Sequence, residues 1–211
     1  MRMIQQMISW LPQLLNGAKI TILLTLCAVS MGLLLSIFLA LGKMSKNKIL
    51  SGICSVYIFF FRGTPLLMQL YFIYFGLPQI NMALTINSRF FAAFLAFSLN
   101  SAAYCSEFIR AAIQSIDRGQ FEASKALGLS KAQTMQLVIF PQSIRRLVPS
   151  VANEFIMVLK DASLVSIIAL ADLTKVTRAI SSSTGTAMVY IPAMIIYLVM
   201  TAFFEFIFRR M

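Results

Sequence analysis

Polar side chains recur at similar depth in three apolar segments of this 211-residue chain. In the segment at residues 90–113, the spacing of Asn100, Tyr104 and Glu107 places all three on one face of a helix, and Ser101 flanks that face. Glu107 lies nearer the end of the segment. There it is expected to pair along the helix with Arg110, three residues further on.

Glu154 and Asp161 stand seven residues apart in a second apolar segment, 148–170. On a helix they share a face and lie about 10 Å apart along its axis. Two carboxylates at membrane depth are costly, and such groups tend to face a wet cavity or the interior of a bundle. Lys160 points away from that face, toward another partner or the membrane surface. Arg62, in a third segment, could pair with one of the two acids, which would be a structural role.

The third segment, 55–77, is interrupted near its middle. Pro65 removes a backbone donor and Gly63 permits unusual dihedral angles, so backbone groups near Thr64 are left without helical partners. Broken backbone at membrane depth is tolerated where it lines a cavity. Gln69 lies one turn further on and belongs to the same polar group.

These segments alternate in direction, yet their polar groups all fall near the middle. The coincidence predicts a polar cavity near the bilayer midplane that holds a small hydrophilic solute. Hydrogen bonding that only holds the helices together is the alternative, above all for Asn100 and Ser101. The predicted substrate ligands are Thr64, Pro65, Gln69, Asn100, Ser101, Tyr104, Glu154 and Asp161.

Composition indicates an integral membrane protein. Hydrophobic residues make up 59% of the chain and its mean hydropathy is +0.84, whereas soluble domains are about 45–50% apolar. The net charge of +11 does not indicate nucleic acid, because the basic residues lie at the ends of apolar segments. Three cysteines and no histidine fit neither a disulfide framework nor a zinc site. No phosphate-loop motif occurs, so this chain is expected to hold no metal or other cofactor and to be no enzyme.

The chain is predicted to form one transmembrane domain, residues 1–211. Residues 1–16 carry apolar side chains at helical spacing and predict an interfacial amphipathic helix. Residues 171–187 form a connector whose first part is a short helix. Each predicted span has close to the roughly 20 residues needed to cross the hydrocarbon core. The five spans are 19–41, 55–77, 90–113, 148–170 and 188–208.

Basic residues set the orientation. If the loop after the first span, the long polar loop and the C-terminus share one side, that side carries eleven of the 18 Lys and Arg residues. The opposite side carries five. Loops rich in Lys and Arg tend to lie on the cytoplasmic side of the membrane. The N-terminus is therefore predicted outside and the C-terminus inside.

The longest polar interval, residues 115–149, therefore faces the cytoplasm. Gly128 follows the helix-forming residues 122–127, as expected of a residue just past a helix end. The pattern predicts a short helix, a glycine turn and a second helix outside the bilayer, with Pro141 as a further break. An ordinary solvated connector is the alternative interpretation.

This cytoplasmic loop resembles the EAA motif of ABC-importer membrane subunits, EAA-x3-G-x9-I-x-LP. Glu122, Ala123 and Ser124 stand for EAA, Gly128 for the glycine, and residues 138–141 for I-x-L-P. Three mild departures are Ser for Ala, Val for Ile and Phe for Leu. Further stretches are similar to the polar amino acid branch of that family. They are residues 61–69, 100–104, 153–155 and 159–164.

The resemblance implies an all-α permease subunit of a polar amino acid ABC importer, in the arginine, histidine and glutamine permease family. The expected architecture is the type I ABC importer permease fold, in the bacterial inner membrane, with the loop at about 115–147 coupling it to ATPases. Expected partners are two ATP-binding subunits that carry ATP and magnesium, a second copy or a homologous permease, and an extracytoplasmic amino-acid-binding protein. The implied coupling residues are Arg118, Phe121, Glu122, Ala123, Ser124, Leu127 and Gly128.

In this interpretation Thr64 and the freed backbone hold the substrate carboxylate, while Glu154 and Asp161 face its ammonium group or a cationic side chain. Two carboxylates favour arginine, lysine or histidine over glutamate, with glutamine and cystine open. An ion-coupled secondary transporter is the alternative function, since membrane carboxylates can relay protons. The small size and the lack of an inverted repeat weigh against it. A membrane scaffold would have no use for the mid-span acids.

Overall fold

The computed structural model describes residues 2–210, with side chains from residue 5 onward. The regular secondary structure of this part of the chain is all helical, and strands are absent from it. The π-helical turns Phe72–Gly76 and Thr134–Ile139 interrupt the regular geometry, and a 3₁₀ helix covers Ala162–Ile168. The α-helices of residues 2–210 are α1 (Arg2–Lys43), α2 (Lys48–Gly63), α3 (Leu66–Tyr71), α4 (Leu77–Ile80), α5 (Arg89–Gln114), α6 (Arg118–Ala126), α7 (Lys131–Gln133), α8 (Phe140–Asp161), α9 (Leu173–Thr184) and α10 (Tyr190–Arg209).

The predicted all-helical class is confirmed, and helices occupy each predicted span. By length and composition, two helices of the described chain can cross a membrane, Gln5–Lys43 and Ala187–Arg209. The bent pair Lys48–Gly63 and Leu66–Ile80 makes a third if it counts as one span. Helices α5 and α8 are long enough, but their polar side chains lower their hydropathy. The number of five spans therefore stays a prediction.

Helix α1 runs without a break through the predicted interfacial helix and the first predicted span. The side chains of Trp10 and Leu14 are buried in an apolar cluster with Leu173 and other residues of α9 and α10. Part of the apolar stripe that predicted an interfacial helix thus packs on protein, while Ile8 and Leu15 are exposed. Its placement at the membrane surface stays a prediction, and Met1 and Met211, the ends of the predicted domain, lie outside the described residues.

The connector after α8 begins with a short helix, as predicted, and that helix packs against α1. A Cβ atom on Gly17 would lie 2.9 Å from the Leu173 Cα, so glycine permits this close approach. Asp172 is fully buried and begins α9 by accepting hydrogen bonds from the N–H groups of Thr174 and Lys175, both at 2.9 Å. Burial raises the pKa of the Asp172 carboxyl, against the opposing effect of these donors.

Helix α5 lies at the centre of the fold, packed mainly against α1 and α8. In membranes, small side chains at a helix interface let two backbones approach closely. A Cβ atom on Gly32 of α1 would lie 2.9 Å from the Ser101 Cβ, which shows how closely the two helices approach. The small side chains that α5 buries include Ala92, Ala93, Ala96, Ser101, Ala102, Ala103 and Cys105.

The predicted break in segment 55–77 is present. Helices α2 and α3 meet at 104°. Thr64 ends α2, with its N–H donating to the Phe60 carbonyl at 3.1 Å and its hydroxyl donating to the same oxygen at 2.8 Å. Pro65 follows, and its missing N–H prevents the first helix from continuing.

The long polar loop, residues 115–149, contains the predicted short helix and glycine turn. Helix α6 ends at Ala126, and Gly128 follows it with a φ of 78°, the left-handed conformation that favours glycine. The Gly128 N–H donates to the Lys125 carbonyl and the Leu129 N–H to the Ser124 carbonyl, both at 3.0 Å. The expected second helix is not separate. Residues 131–161 form one helical stretch, because the π-helical turn Thr134–Ile139 leads directly into α8, which has Pro141 in its first turn.

Candidate functional site

A cavity of about 340 Å³ lies where the α2–α3 break faces α5 and α8. Its volume falls within the range of small-molecule sites, about 300–1,000 Å³. Six of the eight predicted substrate ligands line it. The lining residues are Arg62, Gly63, Thr64, Pro65, Leu66, Phe97, Asn100, Tyr104, Glu154, Met157, Val158 and Asp161.

Gln69, the seventh predicted ligand, is buried behind the break and holds it in place. Its Nε2 donates to the carbonyls of Phe61 at 2.9 Å and Thr64 at 3.0 Å, and to the Thr64 hydroxyl at 2.8 Å. Asn100 Nδ2 donates to the Phe61 carbonyl and to Gln69 Oε1, both at 3.0 Å. These two amides satisfy carbonyls that the broken helix leaves without partners, so they shape the cavity wall from behind.

Ser101, the eighth predicted ligand, does not line the cavity. It is fully buried against α1, and its hydroxyl is 3.7 Å from the Cys105 Sγ. One residue along a helix turns the side chain by about 100°. Asn100 therefore faces the cavity while its neighbour packs between helices.

The two carboxylates of α8 enter the cavity at different depths. Glu154 is only 4% exposed, whereas Asp161, at the end of the helix, is exposed. Every ion pair among residues 5–210 involves Glu107, so neither α8 acid has a cationic partner within this part of the chain. An unpaired carboxylate in such a site favours a cation from outside the subunit. Lys160 lies on the exposed side of α8.

Glu107 is the centre of a separate ionic cluster at one end of the cavity. Its Oε1 accepts from Lys43 Nζ at 2.8 Å, and its Oε2 accepts from Arg110 at 2.7 and 3.2 Å. The predicted pair of Glu107 with Arg110 is therefore confirmed. The cluster ties the end of α1 to α5.

Arg62 does not pair with an α8 acid, so that prediction was wrong for the described residues. Its Nη1 lies 3.9 Å from Glu107 Oε2 and its guanidinium lies over the Tyr104 ring, 5.3 Å from the centroid. Helix α2 packs against α5, which places Arg62 beside Tyr104 and Glu107. Arg62 also lines the cavity, and the sequence interpretation did not include it among the ligands.

A larger cavity, about 740 Å³, lies between α8 and α10 and contains none of the predicted ligands. Its lining includes Arg145, Asn153, Glu205 and Arg209, and it lacks the broken backbone and paired amides of the smaller cavity. Within the described residues, no three His, Cys, Asp or Glu side chains come together as a metal site. The smaller cavity is therefore the candidate site.

A second candidate surface lies on α6 and its glycine turn. Leu127 is 80% exposed and Phe121 is 37% exposed, although both are apolar. Arg118, Glu122 and Ala123 are exposed beside them. Apolar side chains exposed on a polar loop are typical of a protein interaction surface.

Ser124 differs from the other predicted coupling residues, because it is only 3% exposed and donates to the Gln120 carbonyl at 2.7 Å. Its helix face packs on the π-helical turn that leads into α8. Gln142 reinforces this contact by donating to Gln120 Oε1 at 3.1 Å. Helix α6 is therefore attached to the same helical stretch that carries the cavity acids.

Comparison with known proteins identifies the class to which this chain belongs. The family of binding-protein-dependent transport system inner membrane components matches residues 32–211. The chain belongs to this family and is a membrane permease subunit of such a transport system.

Two curated relatives match most of the chain. The arginine transport system permease protein ArtQ of Bacillus subtilis (strain 168) is 41% identical over 165 residues, 78% of this chain and 74% of the relative. The putative glutamine transport system permease protein GlnP of Rickettsia bellii (strain RML369-C) is 40% identical over 186 residues, 86% of this chain and 84% of the relative.

A solved structure agrees over nearly the whole chain. The crystal structure of an amino acid ABC transporter with histidines has a TM-score of 0.92 and 42% identity, and the match covers 98% of each chain. These findings confirm the resemblance to amino acid ABC permeases and the importer permease fold. They favour that interpretation over an ion-coupled secondary transporter.

Proposed function

We propose that this subunit imports a polar amino acid through the 340 Å³ cavity, and that the cargo is basic. The observation that carries the proposal is the pair Glu154 and Asp161, two carboxylates that face the cavity without a cationic partner among residues 5–210. An ammonium or guanidinium group of the cargo would supply the missing charge. The arginine name of ArtQ supports this assignment, while the glutamine name of GlnP keeps glutamine as the second candidate.

The roles of the other ligands follow from their positions. The backbone at Thr64 and Pro65 forms one wall, Asn100 and Tyr104 the next, and Gln69 supports the first from behind. Ser101 contributes by letting α5 approach α1 closely.

The energy comes from partner subunits in the proposed complex. Two ATP-binding subunits carry ATP and magnesium, and each receives α6 in a surface groove, contacting Arg118, Phe121, Glu122, Ala123 and Leu127. A second permease, identical or homologous, and an extracytoplasmic amino-acid-binding protein complete the importer. The N-terminus lies outside and the C-terminus lies in the cytoplasm. This orientation places the α6 surface in the cytoplasm, where the ATP-binding subunits can contact it.

Movement of α6 reaches the cavity through residues 131–161. Because α6 packs on the π-helical turn that continues into α8, a displacement of α6 moves the helix that carries Glu154 and Asp161. Closure of the two ATPases thus rotates the acids relative to the α2–α3 break, a rigid-body change that exposes the cavity to the other side.

Transport by the reconstituted complex tests the cargo assignment. Purified complex in proteoliposomes should take up L-arginine when ATP and the binding protein are present. Substitution E154Q or D161N should weaken the ability of L-arginine to compete for uptake about tenfold or more. The reason is that a hydrogen bond to a charged group contributes about 1.5–3 kcal/mol. Competition by neutral L-glutamine should change less.

E205Q is the matched control, because this acid lies on α10 and lines the other cavity. It should leave both competition curves unchanged. If E154Q and D161N assemble normally and keep the wild-type preference for L-arginine, the two acids do not select the cargo. Wild-type complex that takes up no amino acid would overturn the proposed function.

A further inference from the structure

Arg62 is the cationic member of the cavity lining. It lies next to the last residue of α2, just before the break. Its side chain is 43% exposed, and its guanidinium lies over the Tyr104 ring. It also lines an adjoining cavity of about 370 Å³ that includes Lys43. The guanidinium therefore stands between the substrate cavity and the Glu107 cluster.

The positive charge of Arg62 is poorly compensated. Each oxygen of Glu107 already has a close donor, Lys43 at 2.8 Å on one and Arg110 at 2.7 Å on the other. Arg62 approaches the same carboxylate only to 3.9 Å, beyond hydrogen-bond distance. Since one carboxylate faces three cations, the third is left to attract another anion.

Other groups at the break are already occupied within the protein. The Thr64 hydroxyl donates to the Phe60 carbonyl at 2.8 Å and accepts from Gln69 Nε2 at 2.8 Å. The amide of Asn100 donates to the Phe61 carbonyl and to Gln69. Neither the Thr64 hydroxyl nor the Asn100 amide is as available to an anionic ligand as the guanidinium.

We propose that Arg62 binds the α-carboxylate of the transported amino acid and makes the cavity select amino acids over the corresponding amines. The inference rests on the proposed function. It divides the cavity into a positive end, Arg62, and a negative end, Glu154 and Asp161, which together match a zwitterion. The planar guanidinium binds a carboxylate through two parallel hydrogen bonds.

Binding to the purified permease–ATPase complex without the binding protein tests Arg62, because the selectivity then belongs to the cavity. The probes are L-arginine and agmatine, which is L-arginine without its carboxylate. Wild-type complex should prefer L-arginine. R62Q should weaken L-arginine binding about tenfold or more while agmatine binding changes by less than about twofold. R62K should recover part of the preference, since it keeps the charge without the fork.

R110Q is the matched control. Arg110 holds Glu107 more closely than Arg62 does, yet it lines neither cavity. If Arg62 only supports the Glu107 cluster, R62Q and R110Q will both lower complex yield and leave the L-arginine to agmatine ratio at the wild-type value, which overturns the inference.

Failure of the cargo assignment gives a different result. A wild-type complex that binds neither probe but binds L-glutamine refutes the basic cargo. Arg62 is then tested by the same comparison with L-glutamine and 4-aminobutanamide, its decarboxylated form. A wild-type complex that binds none of these compounds overturns the proposed function and this inference together.

Discussion

At the scale of single residues, the partner of a charge decides its role. Glu107 has three cations around it and stabilises the helix bundle, whereas Glu154 and Asp161 form no ion pair within residues 5–210 and face the cavity. All three are acids inside helices of similar length. The distinction comes from which helix faces which, and it separates structural charges from charges available to a ligand.

The paired amides Gln69 and Asn100 give a prediction on stability. Substitution Q69L removes the donors to the Phe61 and Thr64 carbonyls and leaves buried polar groups unpaired, at a cost of about 1–3 kcal/mol. N100A should also destabilise, and the two effects should be less than additive, because the side chains share a hydrogen bond. The unfolding temperature of the purified complex in detergent should be measured for Q69L, for N100A and for the double variant.

The control for that cycle is Q79L, the same chemical change at an exposed position on α4. It should leave the unfolding temperature near the wild-type value. Strict additivity of Q69L and N100A would show that the two amides act independently and that the break does not depend on their shared network.

Helical spacing predicted part of this residue-level organisation. It placed Asn100 and Tyr104 on one face and put both α8 acids together, because those relations are local. It did not separate Ser101 from Asn100, since the position of α1 decides which face of α5 is packed. The partner of Arg62 depends on how α2 packs against α5, a relation between distant parts of the chain that helical spacing does not give.

At the scale of elements, the molecule depends on where helices stop and where they continue. The stops were predictable, because Pro65 removes a donor and Gly128 adopts a left-handed conformation. The continuation through Pro141 was not. A proline normally breaks a helix by removing the hydrogen bond to the fourth residue before it, and here the π-helical turn Thr134–Ile139 comes just before the proline in a helical stretch that continues.

The glycine turn gives a prediction about coupling. A Cβ atom at Gly128 would meet nothing within 4 Å, so a substitution there acts through backbone conformation alone. G128V should cost about 1–2 kcal/mol in the left-handed conformation and shift α6, so that ATP hydrolysis continues with reduced uptake. ATPase activity and amino acid uptake, both measured in proteoliposomes, give the ratio.

G128N is the matched control, because asparagine tolerates the left-handed conformation far better than valine. It should couple nearly as well as the wild type. Wild-type coupling in G128V would mean that the turn at Gly128 does not position α6 for its partner.

At the scale of the whole molecule, this chain is one part of a larger assembly. Exposed apolar side chains on α10, such as Leu198 and Phe203, require lipid or another subunit to cover them. The composition predicted the membrane environment, because hydropathy is a property of the whole chain. The number of spans was harder to predict, because the polar side chains that α5 and α8 contribute to the cavity lower the hydropathy of these two helices.

Orientation in the membrane is the last prediction, and it follows from the distribution of basic residues. Cysteines introduced one at a time at exposed positions report the side, with Ser182 for the α9 connector and Lys125 for α6. In intact spheroplasts a membrane-impermeant maleimide should label S182C, and it should label K125C only after permeabilisation. The parent chain, whose Cys54 and Cys105 are buried and whose Cys27 is partly buried, supplies the background signal. Labelling of K125C in intact cells would place α6 outside, where no ATPase could bind it.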